Sequence, residues 1–580
     1  MNRTAVPFAV LLCLSRAAAQ LDVTSYDLAV ELRGNDLAVA ASIEATGKVP
    51  AQWRLELAPQ MKVLSAEAGG KAVPFTVRGS ELVLDFAKAG AATGTKVAVA
   101  VRCEGAPSER FSKERGGYVR SAVAPDLVYV RSQVPWYPRA ADDPAEHKIT
   151  VDAPADWQVR CAGDFTAPQP KDARAVWTFA TKGPIDRAGI AAGPWQVVRD
   201  GASDALVTAP HAQAASAMVA KARETIEFHA RDLGPLALER FTLIEMPESF
   251  GSGSGYSECG YILLGPGAFE AGPGAGWVAR FLAHETAHQW WGQDGLFSDF
   301  ANEMLAEYAA FRCVRATAGA EAGNRMRSAA RERLGKAVAG GKVVALGSIE
   351  GWGGGMDAET YEVHAYHKGM LLLAAVEDAV GDERMQAGLR QFLDAARKTR
   401  AGWKDLRRAL CALGPNAKEV VETWERPGLP GGVEPPPAGA SEAKAAFEAG
   451  MKIANSPKEA DPKVLAEALA KLRLARNAKE LGDGEQAAAQ TGIGRCLFRL
   501  GKHDEAAKEL GAALALGAGG PFHRGWVHLR LGNIDDLRGK RKDALVHYQA
   551  VLDNKGASKT TIEMAKRFLE KPYRGFAQDG

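Results

Sequence analysis

The chain has 580 residues, 46% of them hydrophobic, with 72 basic and 70 acidic side chains and a formal net charge of +2. So even a balance gives no electrostatic ground for binding nucleic acid or an anionic membrane surface. The length allows three or four domains of about 100–200 residues each.

Residues 1–19 read as a secretory signal: Arg3, an apolar run from Ala5 to Leu14, then Ala17-Ala-Ala19 before Gln20. Cys13 follows Leu12 rather than the small residue a lipid-attachment site needs, so no lipid anchor is expected. No later stretch reaches the ~18 apolar residues of a membrane span. The protein is therefore expected to be exported, secreted or periplasmic, without a membrane span. Six cysteines follow the signal (Cys103, Cys161, Cys259, Cys313, Cys411 and Cys496), and none form Cys-x-x-Cys. Their scatter predicts mostly buried free thiols, with a Cys103–Cys161 pairing left open.

Residues 20–203 alternate apolar and polar positions, as in Tyr26, Leu28, Val30, Leu32 and again in Val97, Val99, Val101, Cys103. A period of two marks half-buried strands and predicts an N-terminal β-sheet domain. From 204 to 430 the pattern turns helical, with strands predicted at Phe241–Met246 and Tyr261–Leu264.

Within this region a helical run containing Trp277, Val278, Phe281 and Leu282 leads into His284-Glu-Thr-Ala-His288. Residues four apart share a helix face, so His284 and His288 can offer two imidazoles to one metal ion, with Glu285 beside it as a proton acceptor. Zinc is the metal this set favours, and a catalytic zinc needs a third protein ligand plus one open position. A carboxylate on the next helix would complete it, and Glu303 and Glu307 lie one turn apart in Asn302-Glu-Met-Leu-Ala-Glu-Tyr308. The Gly251-Ser-Gly-Ser-Gly255 run lacks the Gly-Lys-Ser/Thr ending of a phosphate loop.

Residues 431–444 form a Pro/Gly-rich linker through Pro435-Pro-Pro437 and Gly439. The last segment, 445–580, is helical and repeats itself. Gly494, Gly501, Ala506, Leu510 and Ala513 recur 38 residues later as Gly532, Gly539, Ala544, Tyr548 and Val551. These offsets resemble tetratricopeptide repeats, with a surplus over their usual period placed in the loop Gly517–Pro521. Stacked helix pairs of this kind present a groove for a protein or peptide partner, or alternatively only shield a catalytic domain.

Several motifs together resemble the aminopeptidase N-like gluzincins. His288-Gln-Trp-Trp-Gly292 resembles the stretch after that family's second histidine, and Phe300-Ala-Asn-Glu-Met-Leu-Ala-Glu-Tyr308 its third-ligand helix. Trp136-Tyr-Pro138, Ala192-Gly-Pro-Trp195 and Trp424-Glu-Arg-Pro-Gly-Leu-Pro430 look like further landmarks. The resemblance implies an α+β chain with an N-terminal β-domain and a thermolysin-like zinc peptidase domain. For the third ligand it points two ways. The local motif selects Glu303, whereas the family spacing of 18 intervening residues selects Glu307. Local helical neighbours weigh more than loop length, because a loop loses residues cheaply.

The resemblance also assigns an oxyanion-stabilising role to Tyr366 in Tyr366-His-Lys-Gly369, with Tyr361 as a weaker alternative. It makes Glu258, in Gly255-Tyr-Ser-Glu-Cys259, the anchor of a substrate's free amine, with Gly255 matching the motif's first position. Ser257 and Cys259 replace the Met and Asn usual there. The expected function is an exported zinc aminopeptidase acting on peptides. An endopeptidase or other hydrolase on the same site, or a repeat-based scaffold with a vestigial peptidase domain, are the alternatives.

Overall fold

The computed structural model describes residues 21–90, 95–110, 119–141, 143–251, 255–292, 300–342, 344–349, 356–396, 401–430, 440–454, 461–478, 483–515, 521–554, 557 and 559–575. The expected signal, most of the Pro/Gly linker and the loop 516–520 lie outside them. Two compact units divide the chain, Met1–Pro430 and Gly431–Gly580.

The first unit begins with a nine-stranded sheet. Its strand Asp22–Leu32 pairs antiparallel with Leu37–Thr46 and parallel with Glu146–Pro154. The alternation seen in the sequence is the cause: Tyr26, Leu28, Val30 and Leu32 all point into one core while the intervening residues face outward.

A second architecture follows. Five strands run in the order Gln196–Asp200, Ser203–Val207, Phe241–Glu245, Tyr261–Leu264, Gly255–Glu258. The sheet therefore starts at Gln196, ahead of the expected boundary at 204, and the strand expected to reach Met246 stops at Glu245. Phe241–Glu245 and Tyr261–Leu264 are buried at every position, as central strands covered on both faces should be. Among the described residues Gly255–Glu258 pairs only with Tyr261–Leu264 and forms the sheet's edge. Helices Ala212–Leu233 and Gly276–Ala287 pack against it, and Ala301–Thr317 packs on those helices.

The second unit is a run of helices: Ala440–Ala454, Pro462–Arg476, Asp483–Arg499, His503–Ala515, Pro521–Leu537, Arg541–Leu552 and Lys559–Glu570. The first of these begins inside the expected linker. The 38-residue repeat has a physical basis. A Cβ on Gly494 would come within 2.6 Å of Leu510, and one on Gly532 within 2.5 Å of Tyr548, so each glycine admits a large side chain of the next helix. Gly501 and Gly539 both turn the chain at φ 73°, a left-handed conformation that favours glycine. All six cysteines described are free thiols, five of them buried. No described helix is long and apolar enough to cross a membrane.

Candidate metal centre

Helix Gly276–Ala287 is two-faced. Val278 and Leu282 are fully buried in the core beneath the sheet, while His284 and the C-terminal His288 project from the other side toward helix Ala301–Thr317. His284 Nε2 lies 3.2 Å from His288 Nε2 and 3.2 Å from Glu303 Oε2, and His288 Nε2 lies 3.5 Å from the same oxygen. Among the described residues this is the one group of three or more His, Cys, Asp or Glu close enough to share an ion. Zinc with bonds of about 2.0–2.1 Å in a tetrahedron sets its ligand atoms about 3.3 Å apart, so the three donors fit it.

The outward ring nitrogens are occupied in a way that turns both Nε2 atoms toward the centre. His288 Nδ1 donates to Asn302 Oδ1 at 2.8 Å and to the Trp291 carbonyl at 3.0 Å. His284 Nδ1 donates to Glu307 Oε2 at 3.1 Å. Glu307, the carboxylate selected by spacing, therefore stands behind a histidine rather than at the centre, where Glu303 sits. Its other oxygen accepts from the Arg280 guanidinium at 2.5 and 3.0 Å. Burial alone would raise the Glu307 pKa, but Arg280 and His284 outweigh it and hold the carboxyl down at about 2. An anion fixed on the far nitrogen orients the imidazole and makes it a stronger donor. Burial likewise works against a charged His284, yet Glu303 and Glu307 lift it to about 10, while Glu303 is driven well below the usual carboxylate range.

Glu285 is treated differently. It is 7% exposed, accepts no hydrogen bond among the described residues, and burial pushes its pKa up against the pull of His284 and His288. Tyr366 lies on a π-helical turn, Val363–Lys368, whose wider spacing marks a departure from the helices on either side. Its ring stacks on His284 with centroids 5.5 Å apart, and its hydroxyl bonds to Glu303. Burial, then Glu303, raises that hydroxyl's pKa well above normal. Tyr361 stands farther off, edge-on to Tyr366 at 6.5 Å. A Cβ on Gly369 would meet Met304 at 2.3 Å, so the glycine of this motif lets the segment approach the helix that carries Glu303. Lys368 is fully buried and donates to the carbonyls of Arg426 and Val344 at 2.6 and 3.3 Å, with burial lowering its pKa to about 8.

Glu258 ends the edge strand and is 1% exposed. Its Oε1 accepts the backbone N–H of Ser132 at 3.2 Å. Burial raises its pKa, with Arg131 as the leading opposing charge. Gln289 fastens the strand to the metal helix. Its amide donates to Ser257 Oγ at 2.7 Å and to the Glu258 carbonyl at 2.9 Å, and its carbonyl accepts from the Gly260 N–H at 2.9 Å. Gly255 opens the strand beside Phe281. Sequence reasoning missed Arg131 and Ser132, which arrive from the N-terminal sheet region and leave no local signal. Arg280 was findable, since it precedes His284 by one turn on the same face.

Two histidines and a glutamate from consecutive helices, with a glutamate beside the first histidine, define the class of gluzincin-type zinc metallopeptidase sites. Residues 238–424 match the Peptidase family M1 domain and residues 485–556 a Tetratricopeptide repeat, so the chain carries a family M1 domain followed by such repeats. A 223-residue stretch is 28% identical to Tricorn protease-interacting factor F2 of Thermoplasma acidophilum, covering 36% of this chain and 28% of that one. The M1 zinc metallopeptidase of Deinococcus radiodurans has a similar fold (TM-score 0.56, 19% identity, 72% of this chain and 97% of that one). So has yeast LTA4 hydrolase in complex with bestatin (TM-score 0.59, 15% identity, 98% and 100%).

Proposed function

We propose that this chain is an exported zinc aminopeptidase that removes residues from the N-termini of peptides. The observation that carries the reading is Glu258, a buried carboxylate at the end of an edge strand that Gln289 ties to the metal helix. An ammonium group gains most from a fixed, desolvated carboxylate, and an internal peptide residue has none to offer.

When held by His284, His288 and Glu303, zinc supplies Lewis-acid activation of a water and of the scissile carbonyl. The protein does the rest. Glu258 fixes the substrate amine, and with it which carbonyl reaches the centre. Glu285, raised in pKa and uncommitted to any partner, accepts the water's proton and passes it to the leaving amine. Tyr366 donates its hydroxyl hydrogen bond to the carbonyl oxygen as negative charge grows there. Residues 1–19 would be removed on export, leaving Gln20 as the mature terminus. The repeats would serve as a surface for a protein or peptide partner.

The test compares one peptide with a free and an acetylated N-terminus on the same zinc-loaded protein. Loss of at least about a hundredfold in kcat/KM on acetylation is expected, since a charge-assisted anchor is removed. Equal rates would instead support an endopeptidase, the reading favoured by Ser257 and Cys259 in the anchor motif.

A further inference from the structure

Trp277 is 45% exposed, although Val278 and Leu282 of the same helix are fully buried and Phe281 is half-buried. Its position is specific. Trp277, Phe281, His284 and His288 are spaced four, three and four residues apart, which places them on one stripe of the helix, a quarter-turn or more from the buried Val278 and Leu282. The exposed indole therefore stands in line with the metal ligands, two turns toward the helix N-terminus. Phe281 lies between, its ring 6.4 Å from the indole and tilted 46°.

The edge strand gives this line a direction. Gly255 sits against Phe281, where a Cβ would come within 2.4 Å of the ring, and Glu258 sits against Gln289, whose amide bonds its carbonyl at 2.9 Å. The strand thus runs along the helix from the Phe281 level to the Gln289 level. A peptide adding to that edge in antiparallel fashion, with its amine at Glu258, must run the opposite way. It passes the metal ligands and continues over Phe281 toward Trp277. Seven helical residues from His284 to Trp277 span about 10 Å. An extended peptide advances about 3.3 Å per residue, so that distance is reached by the second and third residues beyond the scissile bond.

Resting on the aminopeptidase reading, we propose that Trp277 and Phe281 form an aromatic platform for the leaving side of the substrate. The platform selects peptides with large apolar side chains at the second and third residues after the cleaved bond. Arg280, on the same surface, is held by Glu307 and keeps one edge of the platform polar.

The experiment measures kcat/KM of the full zinc-loaded chain on Ala-Gly-Phe-Phe-Gly, Ala-Phe-Gly-Gly-Gly and Ala-Gly-Gly-Gly-Gly, with alanine amide as a substrate that has no leaving peptide. The wild type should prefer the first peptide over the all-glycine one by about tenfold. Trp277→Ala should bring that ratio near one, and Trp277→Phe should restore most of it. An unchanged ratio in Trp277→Ala, or a preference confined to the residue next to the scissile bond, would overturn the platform. Failure of the wild type to cleave alanine amide and every peptide would instead overturn the aminopeptidase reading on which it rests.

Discussion

Asp536 in the repeat unit and Glu285 at the metal centre are both carboxylates withdrawn from water, and the protein handles them in opposite ways. The Asp536 side chain is 0% exposed and saturated: both oxygens accept from Arg541 at 3.0 Å, and one also takes Tyr548 Oη and the Tyr573 N–H at 2.8 Å each. Glu285 accepts nothing among the described residues, although Glu303 and Glu307 within a few ångströms of the same histidines are bonded. A saturated carboxylate clamps two helices and the segment after a third, and has no capacity left for chemistry. An unsatisfied one costs stability and remains free to take a proton. The difference separates the two carboxylates, one spent on holding a shape and the other left open to a proton.

Each side of that contrast can be broken by substitution. Tyr366→Phe removes a donor that acts mainly when charge develops on the substrate. Its kcat should fall about a hundred- to a thousandfold with little change in KM or zinc content. Asp536→Ala should destabilise the repeat helices by roughly 3 kcal/mol, because Arg541 and Tyr548 lose their shared partner. Urea unfolding followed by circular dichroism would record it, with zinc binding untouched.

The first unit also buries His147 and His229, which burial holds down at about 4. Their unfolded values are higher, so the unfolded chain binds more protons below about pH 6.5, and stability must fall as pH drops from there toward 4. Roughly 2 kcal/mol per histidine should be lost between pH 7 and 5, read as a lowered urea midpoint. The smallest change concerns Glu307. Glu307→Gln should weaken zinc about ten- to a hundredfold without abolishing its binding, whereas Glu303→Ala should abolish stoichiometric loading.

Legibility in the sequence followed the range of the interactions. His284, Glu285, His288 and Glu303 were readable because helical periodicity turns spacing into proximity. Choosing Glu303 over Glu307 needed only the neighbours on one helix face, and the structure places Glu303 with the histidines and Glu307 behind one of them. The N-terminal strands were readable from alternation. The start of the catalytic sheet at Gln196 was not, since a strand's sheet is decided by distant partners rather than by its own pattern. Ser132 at Glu258 was hidden for the same reason, being 126 residues away in the chain. Trp277 and Val278 belong to one helical run, yet one is exposed and the other buried. Periodicity gives a stripe, and only the fold says which stripe is left exposed.

In the proposed mechanism Glu285 is the free base of a metal centre that other residues assemble. Glu285→Gln, isosteric and bound to nothing that would be lost, tests it most directly when zinc content and peptide turnover are measured on the same preparation. The variant should keep one zinc per chain while its turnover falls by about a hundredfold or more. Turnover near the wild-type value with zinc fully loaded would rule Glu285 out as the base.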